Sequence, residues 1–251
     1  MTETRNDIQA KVLAHSFSSS APELITVQVK APKFLDAEIE KHRMISTNSS
    51  SDRAIPVKTM VNREMFFPED IRINEPGMQG YTNLGHGDRL AYHDDMYKII
   101  DIAKEVNIKW SDMIHKQHLN RNLLGWSFQE KVMTATADQW KYFFDLRMDG
   151  DADPAVQDLA GKIFEAIHTS EPTQLRTGDW HCPYVGAGVV FRDNPHKEDL
   201  IKASVARCAR VSYLNHDQSE PNIQNDIKLH NKLKDVYHWS CFEHTATPMG
   251  N

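Results

Sequence analysis

Residues 24–29, Leu-Ile-Thr-Val-Gln-Val, are β-branched and alternate in polarity, which predicts a strand. Pro32 follows where a first helical turn would begin. Residues 33–43 place Leu35 and Ile39 on one stripe and Glu38 with His42 on another, predicting a helix. Residues 54–88 lack periodicity, and Pro56, Pro68 and the run Asn74-Glu75-Pro76-Gly77 mark turns. From residue 89 to about 118 the pattern is helical, with Ile99, Ile102, Ala103 and Val106 expected inward, then Met113 and Ile114. Residues 131–136 read as a strand, and residues 138–147 as a short aromatic helix with Trp140, Phe143, Phe144 and Leu146. Asp153-Pro154 supplies an N-cap and a first-turn proline. Behind it Val156, Leu159, Ala160, Ile163, Phe164 and Ile167 make the cleanest amphipathic helix in the chain. Residues 170–197 are loop-rich. Two helices then follow, residues 198–211 burying Ile201, Val205 and Cys208, and residues 221–236 burying Ile223, Ile227 and Leu233. No internal repeat and no dividing linker appears, so one mixed α and β domain is expected over residues 1–251.

Composition narrows the function classes. A net charge of −6 argues against a broad basic face for nucleic acid, although a local arginine cluster stays compatible with it. Cys182, Cys208 and Cys241 show no CxxC spacing, which argues against a disulfide framework or a zinc knuckle. The N-terminal run Met-Thr-Glu-Thr-Arg-Asn-Asp has no apolar signal-peptide core, and no apolar run is long enough to span a bilayer. The expectation is a cytoplasmic protein with no membrane partner.

Against that background residues 41–53, Lys-His-Arg-Met-Ile-Ser-Thr-Asn-Ser-Ser-Ser-Asp-Arg, stand out. They hold three cations, a histidine, an asparagine and five hydroxyls. Buried without partners, such groups cost about 1–3 kcal/mol each, so the stretch is not expected in the core. A serine-rich surface loop has this composition; so does a phosphate site, because guanidinium forks and hydroxyls are the groups that hold phosphate oxygens. Elsewhere the glycines of Gly77–Gly80 and Gly85–Gly87 follow no strand and read as turn glycines. His115 and His118 share a helical face but find no third ligand at metal spacing, so no metal site is predicted. In Trp180-His181-Cys182-Pro183 the adjacent histidine and cysteine invite a nucleophile reading, but adjacency in sequence does not place the side chains together, and a structural role is expected.

The pattern Lys41-His42-Arg43-x-x-Ser46-x-Asn48-x-x-Ser51-x-Arg53 resembles the signature of the flavin-dependent thymidylate synthases. Further segments are similar to that family: Thr26-Val27-Gln28-Val29-Lys30-Ala31-Pro32, Arg121-Asn122-Leu123-Leu124, Phe143-Phe144-Asp145-Leu146-Arg147, Ala209-Arg210-Val211-Ser212 and His238-x-Ser240-x-Phe242-Glu243-His244. Together they extend from about residue 24 to 246. The last two precede the signature in the better-known members and follow it here, so the chain resembles a permuted, phage-type member. Permutation is undemanding when termini lie close together at the surface. Relatives with this order run past Pro248, so an element beyond Asn251 is expected.

The resemblance implies an α+β fold, an antiparallel sheet flanked by long helices. It implies reductive methylation of dUMP to dTMP, with methylenetetrahydrofolate as carbon donor and NADPH reducing a bound FAD, without a cysteine nucleophile. It implies a homotetramer, located in the host cytoplasm if phage-encoded. Carried over residue by residue, Ser51 and Arg53 would bind the dUMP phosphate with Lys41 nearby and Arg121 reaching in from another subunit. Arg147 would be catalytic, lying against the uracil and stabilising charge that develops on it. His42, Arg43, Ser212, Ser240 and Glu243 would contact FAD, with His238 near the flavin ring where folate stacks.

Several positions depart from the family. Lys41 replaces an arginine and loses its bidentate fork, Ser49 replaces an acidic residue, and Ala54 a tyrosine. Glu38 stands where relatives have a glutamine that touches dUMP, and a carboxylate there repels phosphate unless paired or protonated. Family asparagines near Thr136 and Tyr142 are also changed. Other readings stay open at this point: a flavin- or nucleotide-binding relative without turnover, a protein binding a nucleic-acid backbone through residues 41–53, and, lowest, a metal-dependent hydrolase.

Overall fold

A computed structural model of the chain describes residues 8–77, 80–212 and 219–249. Met78 and Gln79 of the predicted glycine turn, and both ends of the chain, lie outside the described residues. In chain order, strands β1 (Gln9–Ser18) and β2 (Ala21–Pro32) lead into a 3-10 turn at Lys33–Leu35, helix α1 (Asp36–Ile39) and strand β3 (Ser46–Ser49). Helices α2 (Val57–Val61), α3 (His86–Lys109) and α4 (Lys116–Leu119) follow, and a 3-10 turn at Asn120–Leu123 precedes strand β4 (Phe128–Thr136). Next come α5 (Ala137–Arg147), α6 (Pro154–His168) and the short strands β5 (Thr173–Gln174), β6 (Trp180–His181) and β7 (Val189–Val190). Helices α7 (Lys197–Arg210) and α8 (Ile223–Asp235) and a 3-10 turn at Ser240–His244 complete the described part.

The main sheet has the order β3-β4-β2-β1-β5, antiparallel except for β5 against β1, and β6 pairs with β7 separately. This is the α+β class expected. β2 pairs with β4 without a break from Leu24↔Thr136 to Pro32↔Phe128. Its period of two sends Ile25, Val27, Val29 and Ala31 to one face, where Trp140 and Phe143 of α5 and Val156, Leu159, Ala160 and Ile163 of α6 cover them. Asp153 caps α6 as its sequence predicts, its Oδ1 accepting from the N–H groups of Ala155 (2.9 Å) and Val156 (3.3 Å). On the opposite face Val132 joins Val205 and Cys208 of α7 and Cys241.

Elsewhere the structure departs from the sequence reading. In place of a helix over residues 33–43, the chain winds only to Ile39 and then turns, with His42 N–H bonded to Ile39 O (3.0 Å) and Ile45 N–H to His42 O (2.9 Å). The tight turns bury Ile45 and let β3 start beside β4, which a continuing helix would prevent. The long helix ends at Lys109, and its inward face is Met96, Ile100 and Asn107, while Ile99, Ile102 and Val106 are exposed at 55%, 61% and 40%. Apolar residues ring α3, so periodicity does not say which side packs; contact with Met60, Val61 and Leu123 decides it. β1 went unpredicted because register shifts between Val12 and Ala14 and between Ser16 and Ser18 break its alternation. In α8 the buried residue is Asp226, with Ile223, Ile227 and Leu233 only half-buried.

Candidate functional site

The polar stretch crosses the edge of the sheet. β3 pairs with β4 from Ser46↔Thr134 to Ser49↔Lys131, and the Ser50 N–H continues the ladder to Glu130 O at 3.0 Å. The stretch is not wholly outside the core, since His42, Ile45 and Asp52 are buried. Asp52 is buried because Lys33 neutralises it through a direct ion pair, with Arg63 3.9 Å away. Beyond it the chain turns, Ala54 N–H bonding to Ser51 O at 3.0 Å, and Arg53 projects outward.

Ser51, Arg53 and Arg121 line one open cavity of about 300 Å³, together with Lys33, Asp52, Asn120 and Gln117. Lys33 and Asp52 cancel, which leaves the guanidinium groups of Arg53 and Arg121. Both are exposed, and neither forms an ion pair among the described residues. Two unspent guanidinium forks beside serine hydroxyls make a site for a multiply charged anion. Arg121, expected from another subunit, reaches this cavity within one chain.

Arg147 does not line that cavity. At the end of α5 its Nη1 donates to Glu38 Oε2 (2.5 Å), Nη2 to the Glu38 carbonyl (3.1 Å) and Nε to His42 Nε2 (2.9 Å). Because Nε2 accepts, the His42 ring is neutral with its proton on Nδ1. Burial, then the Arg147 charge, pushes the His42 pKa below its ordinary value. The ring packs edge-on against Phe143 (4.8 Å between centroids) and Tyr142 (5.8 Å). Lys41 donates to the other Glu38 oxygen at 3.0 Å. That bond and the Arg147 charge outweigh partial burial and hold the Glu38 carboxyl below the usual range.

A third group gathers at the free side of β3. Ser240 Oγ donates to Asn48 Oδ1 (3.0 Å) and lies 3.4 Å from His238 Nδ1. Asn48 Nδ2 donates to the carbonyls of Cys208 (2.9 Å) and Ala209 (3.3 Å), so one amide joins β3, the end of α7 and the turn at Ser240. Val211 ends α7 in the left-handed region (φ 54°), strained for a β-branched residue, and the Ser212 N–H bonds to Arg207 O at 3.2 Å. Arg207 and Arg210 both donate to buried Asp226, at 3.0 and 2.6 Å. Arg210 Nε and Nη2 are buried without a partner among the described residues. Arg43 and Glu243 are exposed. Asn48 carried no role in the sequence reading; a lone amide in a run of hydroxyls was its only signal.

His115, His181, His244 and the three cysteines are structural in their contacts. His115 caps α4 by accepting from Gln117 N–H at 3.3 Å. His181 lies 2.8 Å from Ser16 Oγ and 2.7 Å from Thr26 Oγ1, and a Thr26–Thr134 contact of 2.7 Å links it onward to His244 Nδ1 at 2.8 Å. Burial lowers His181 to about 3 and His244 to about 4. All three cysteines are buried, which pushes the Cys182 thiol up to about 12, Cys241 to about 11, and Cys208 well above its ordinary value.

The family model described as thymidylate synthase complementing protein matches residues 5–173. No curated protein matches the chain significantly. Among solved structures, the chain is similar to a UMP/dUMP methylase PolB from Streptomyces cacaoi bound with 5-Br UMP. That likeness has a TM-score of 0.56 and 17% identity, over 65% of this chain and 90% of that one. The same methylase bound with 5-Br dUMP gives a TM-score of 0.53 and 16% identity, over 66% and 90%. At such identity the likeness speaks for the fold. The family match is the stronger finding: covering well over half of the sequence, it places this chain in the thymidylate synthase complementing protein family.

Proposed function

We propose that this chain is a flavin-dependent thymidylate synthase, converting dUMP to dTMP with methylenetetrahydrofolate as carbon donor and NADPH as reductant. The observation that carries the reading is the meeting of Ser51, Arg53 and Arg121 on one cavity whose unpaired charge is that of two guanidinium groups. A nucleotide 5′-phosphate is a dianion, and charge-assisted contacts of about 1.5–3 kcal/mol each are what holds one. The nucleotides named in the two methylase structures are ligands of the same kind.

In this reading Lys41, which pairs with Glu38 outside the cavity lining, would assist dUMP binding, and Arg147 would lie against the uracil as the catalytic cation. His42, Arg43, Ser212, Ser240, Glu243 and His238 would hold FAD. The donor set suits a dinucleotide diphosphate: Arg43 is exposed and forms no ion pair among the described residues, and Arg210, two residues before Ser212, keeps Nε and Nη2 without a partner among them. His42 fits less directly, because Arg147 uses its Nε2. Once reduced by NADPH, bound flavin would supply a hydride to the pyrimidine, so that the transferred one-carbon unit ends as a methyl group. The chain's own tasks are to hold the phosphate, orient the ring and stabilise its developing negative charge. Three buried, protonated thiols support a route without a cysteine nucleophile. The exposed row Ile99, Ile102 and Val106 on α3 supports a homotetramer, in which further copies would cover it.

One observation favours a second reading. Glu38 neutralises Arg147, as expected of a nucleotide-binding relative without turnover. Release of tritium from C5-labelled dUMP, with folate, NADPH and FAD supplied, tests both. Turnover supports the synthase, while dUMP binding and a flavin absorbance band without tritium release leave the second reading. Absence of both dUMP binding and the flavin band removes both readings.

A further inference from the structure

Arg53 and Arg121 are far apart in sequence, both cationic and both exposed. Before an anion arrives they repel each other, so something else must hold them on one cavity. Asn120, immediately before Arg121, is 1% exposed and lines that cavity. Its Nδ2 donates to the carbonyl of Asp52 (2.8 Å) and to that of Ile55 (3.0 Å), one on each side of Arg53. Lys116 Nζ adds a third tie, to Ala54 O at 2.7 Å, from the surface. Both amide N–H groups are spent on the loop that carries Arg53, while the Asn120 backbone belongs to the turn that carries Arg121. Its Oδ1 is buried and accepts no hydrogen bond among the described residues. A carboxylate or methyl group here would have no donor for the two carbonyls.

We infer that Asn120 is a positioning residue of the anion site: its amide clasps the Arg53 loop to the Arg121 turn and sets the guanidinium spacing before the phosphate binds. Holding the pair in advance removes an ordering cost that the ligand would otherwise bear. The inference rests on the reading of Arg53 and Arg121 as phosphate ligands.

The test measures dUMP and inorganic phosphate binding to the full chain by calorimetry, with thermal midpoints alongside. Asn120→Ala is expected to weaken both ligands tenfold or more, and Asn120→Ser, which keeps one donor, to recover part of the loss. The control is Asn122→Ala, which removes a 2.8 Å bond to Asn107 Oδ1 on α3 without touching residues 52–55. It is expected to lower the midpoint with binding kept within twofold. In turnover, Asn120→Ser is expected to raise KM for dUMP and leave kcat within twofold. Unchanged binding in both Asn120 variants overturns the clasp, and so does equal weakening by Asn122→Ala, the mark of a merely structural role. Should the unsubstituted chain bind neither probe, the underlying phosphate reading fails as well, a result distinct from the other two. If Asn120→Ala does not fold, Asn120→Ser carries the measurement.

Discussion

Arg147 at the end of α5 and Glu38 in α1 are joined twice, through a 2.5 Å contact from Nη1 to the carboxylate and a 3.1 Å contact from Nη2 to the Glu38 carbonyl. The carboxylate cancels much of the positive field that an anionic ring would use. Glu38→Gln keeps a hydrogen-bond acceptor and removes the counter-charge. We expect kcat/KM for dUMP to rise severalfold, on the order of 1 kcal/mol of transition-state stabilisation. Arg147→Ala is expected to lose about 100-fold or more in kcat. A Glu38→Gln enzyme no faster than its parent would show that this pair does not limit the chemistry.

For the anion cavity, Arg53→Ala and Arg121→Ala each remove one charge-assisted contact worth about 1.5–3 kcal/mol, or about 10- to 150-fold in dUMP affinity. Equilibrium binding at several salt concentrations checks this. Both variants should also show a shallower salt dependence than the parent, and an affinity that neither substitution moves would take the phosphate out of this cavity.

Acid should destabilise the protein earlier than its carboxylates alone would allow. His181 and His244 are buried neutral, lowered to about 3 and about 4 from 6.5. As pH falls below 6.5 the unfolded chain takes up protons that the native state refuses. Each histidine therefore costs up to about 1.4 kcal/mol of stability per pH unit down to its folded value. Glu38 adds to this at lower pH: its carboxyl is depressed, so its contribution is complete above about 4.5 and is lost as pH drops through the folded value. Urea midpoints between pH 7 and pH 5 measure the histidine part, and His244→Gln should flatten the slope. An identical slope in that variant would mean that His244 protonates readily in the folded state.

The row on α3 makes a prediction about assembly. Ile102→Asp places a charge in the middle of the exposed apolar face and leaves the inward residues Met96 and Ile100 untouched. Sedimentation should show a mass below that of a tetramer, with helical content retained. A tetramer that survives the substitution would move the subunit contact elsewhere.

Cysteine substitution separates this chemistry from thiol catalysis. Cys182→Ala, Cys208→Ala and Cys241→Ala each bear on packing, since all three side chains are buried. Loss of thermal stability is expected in each, with turnover per folded molecule kept within about threefold, a spread of roughly 0.7 kcal/mol. A variant that folds but shows no turnover would identify a nucleophile.

Much of this molecule was legible along the chain. The alternation of residues 24–29, the cap at Asp153-Pro154 and the apolar stripe of α6 each depend on neighbours within a few residues. The same holds for Ser51 and Arg53, whose two-residue spacing is local.

Other features arise where distant segments meet. The inward face of α3 was set by α2 and the turn at Leu123, because a helix with apolar and charged residues mixed around all its sides carries no phase information. The early end of α1 was set by the need to bury Ile45 and begin β3. Glu38 meets Arg147 only because α1 and α5 lie together across more than a hundred residues of chain. Sequence by itself supplied the charges and hydroxyls that suit a phosphate, since side-chain chemistry is a property of each residue. Tertiary structure alone decided that Arg53 and Arg121 share a cavity while Arg147 is turned toward Glu38 and His42, since position in space follows from packing and not from order along the chain.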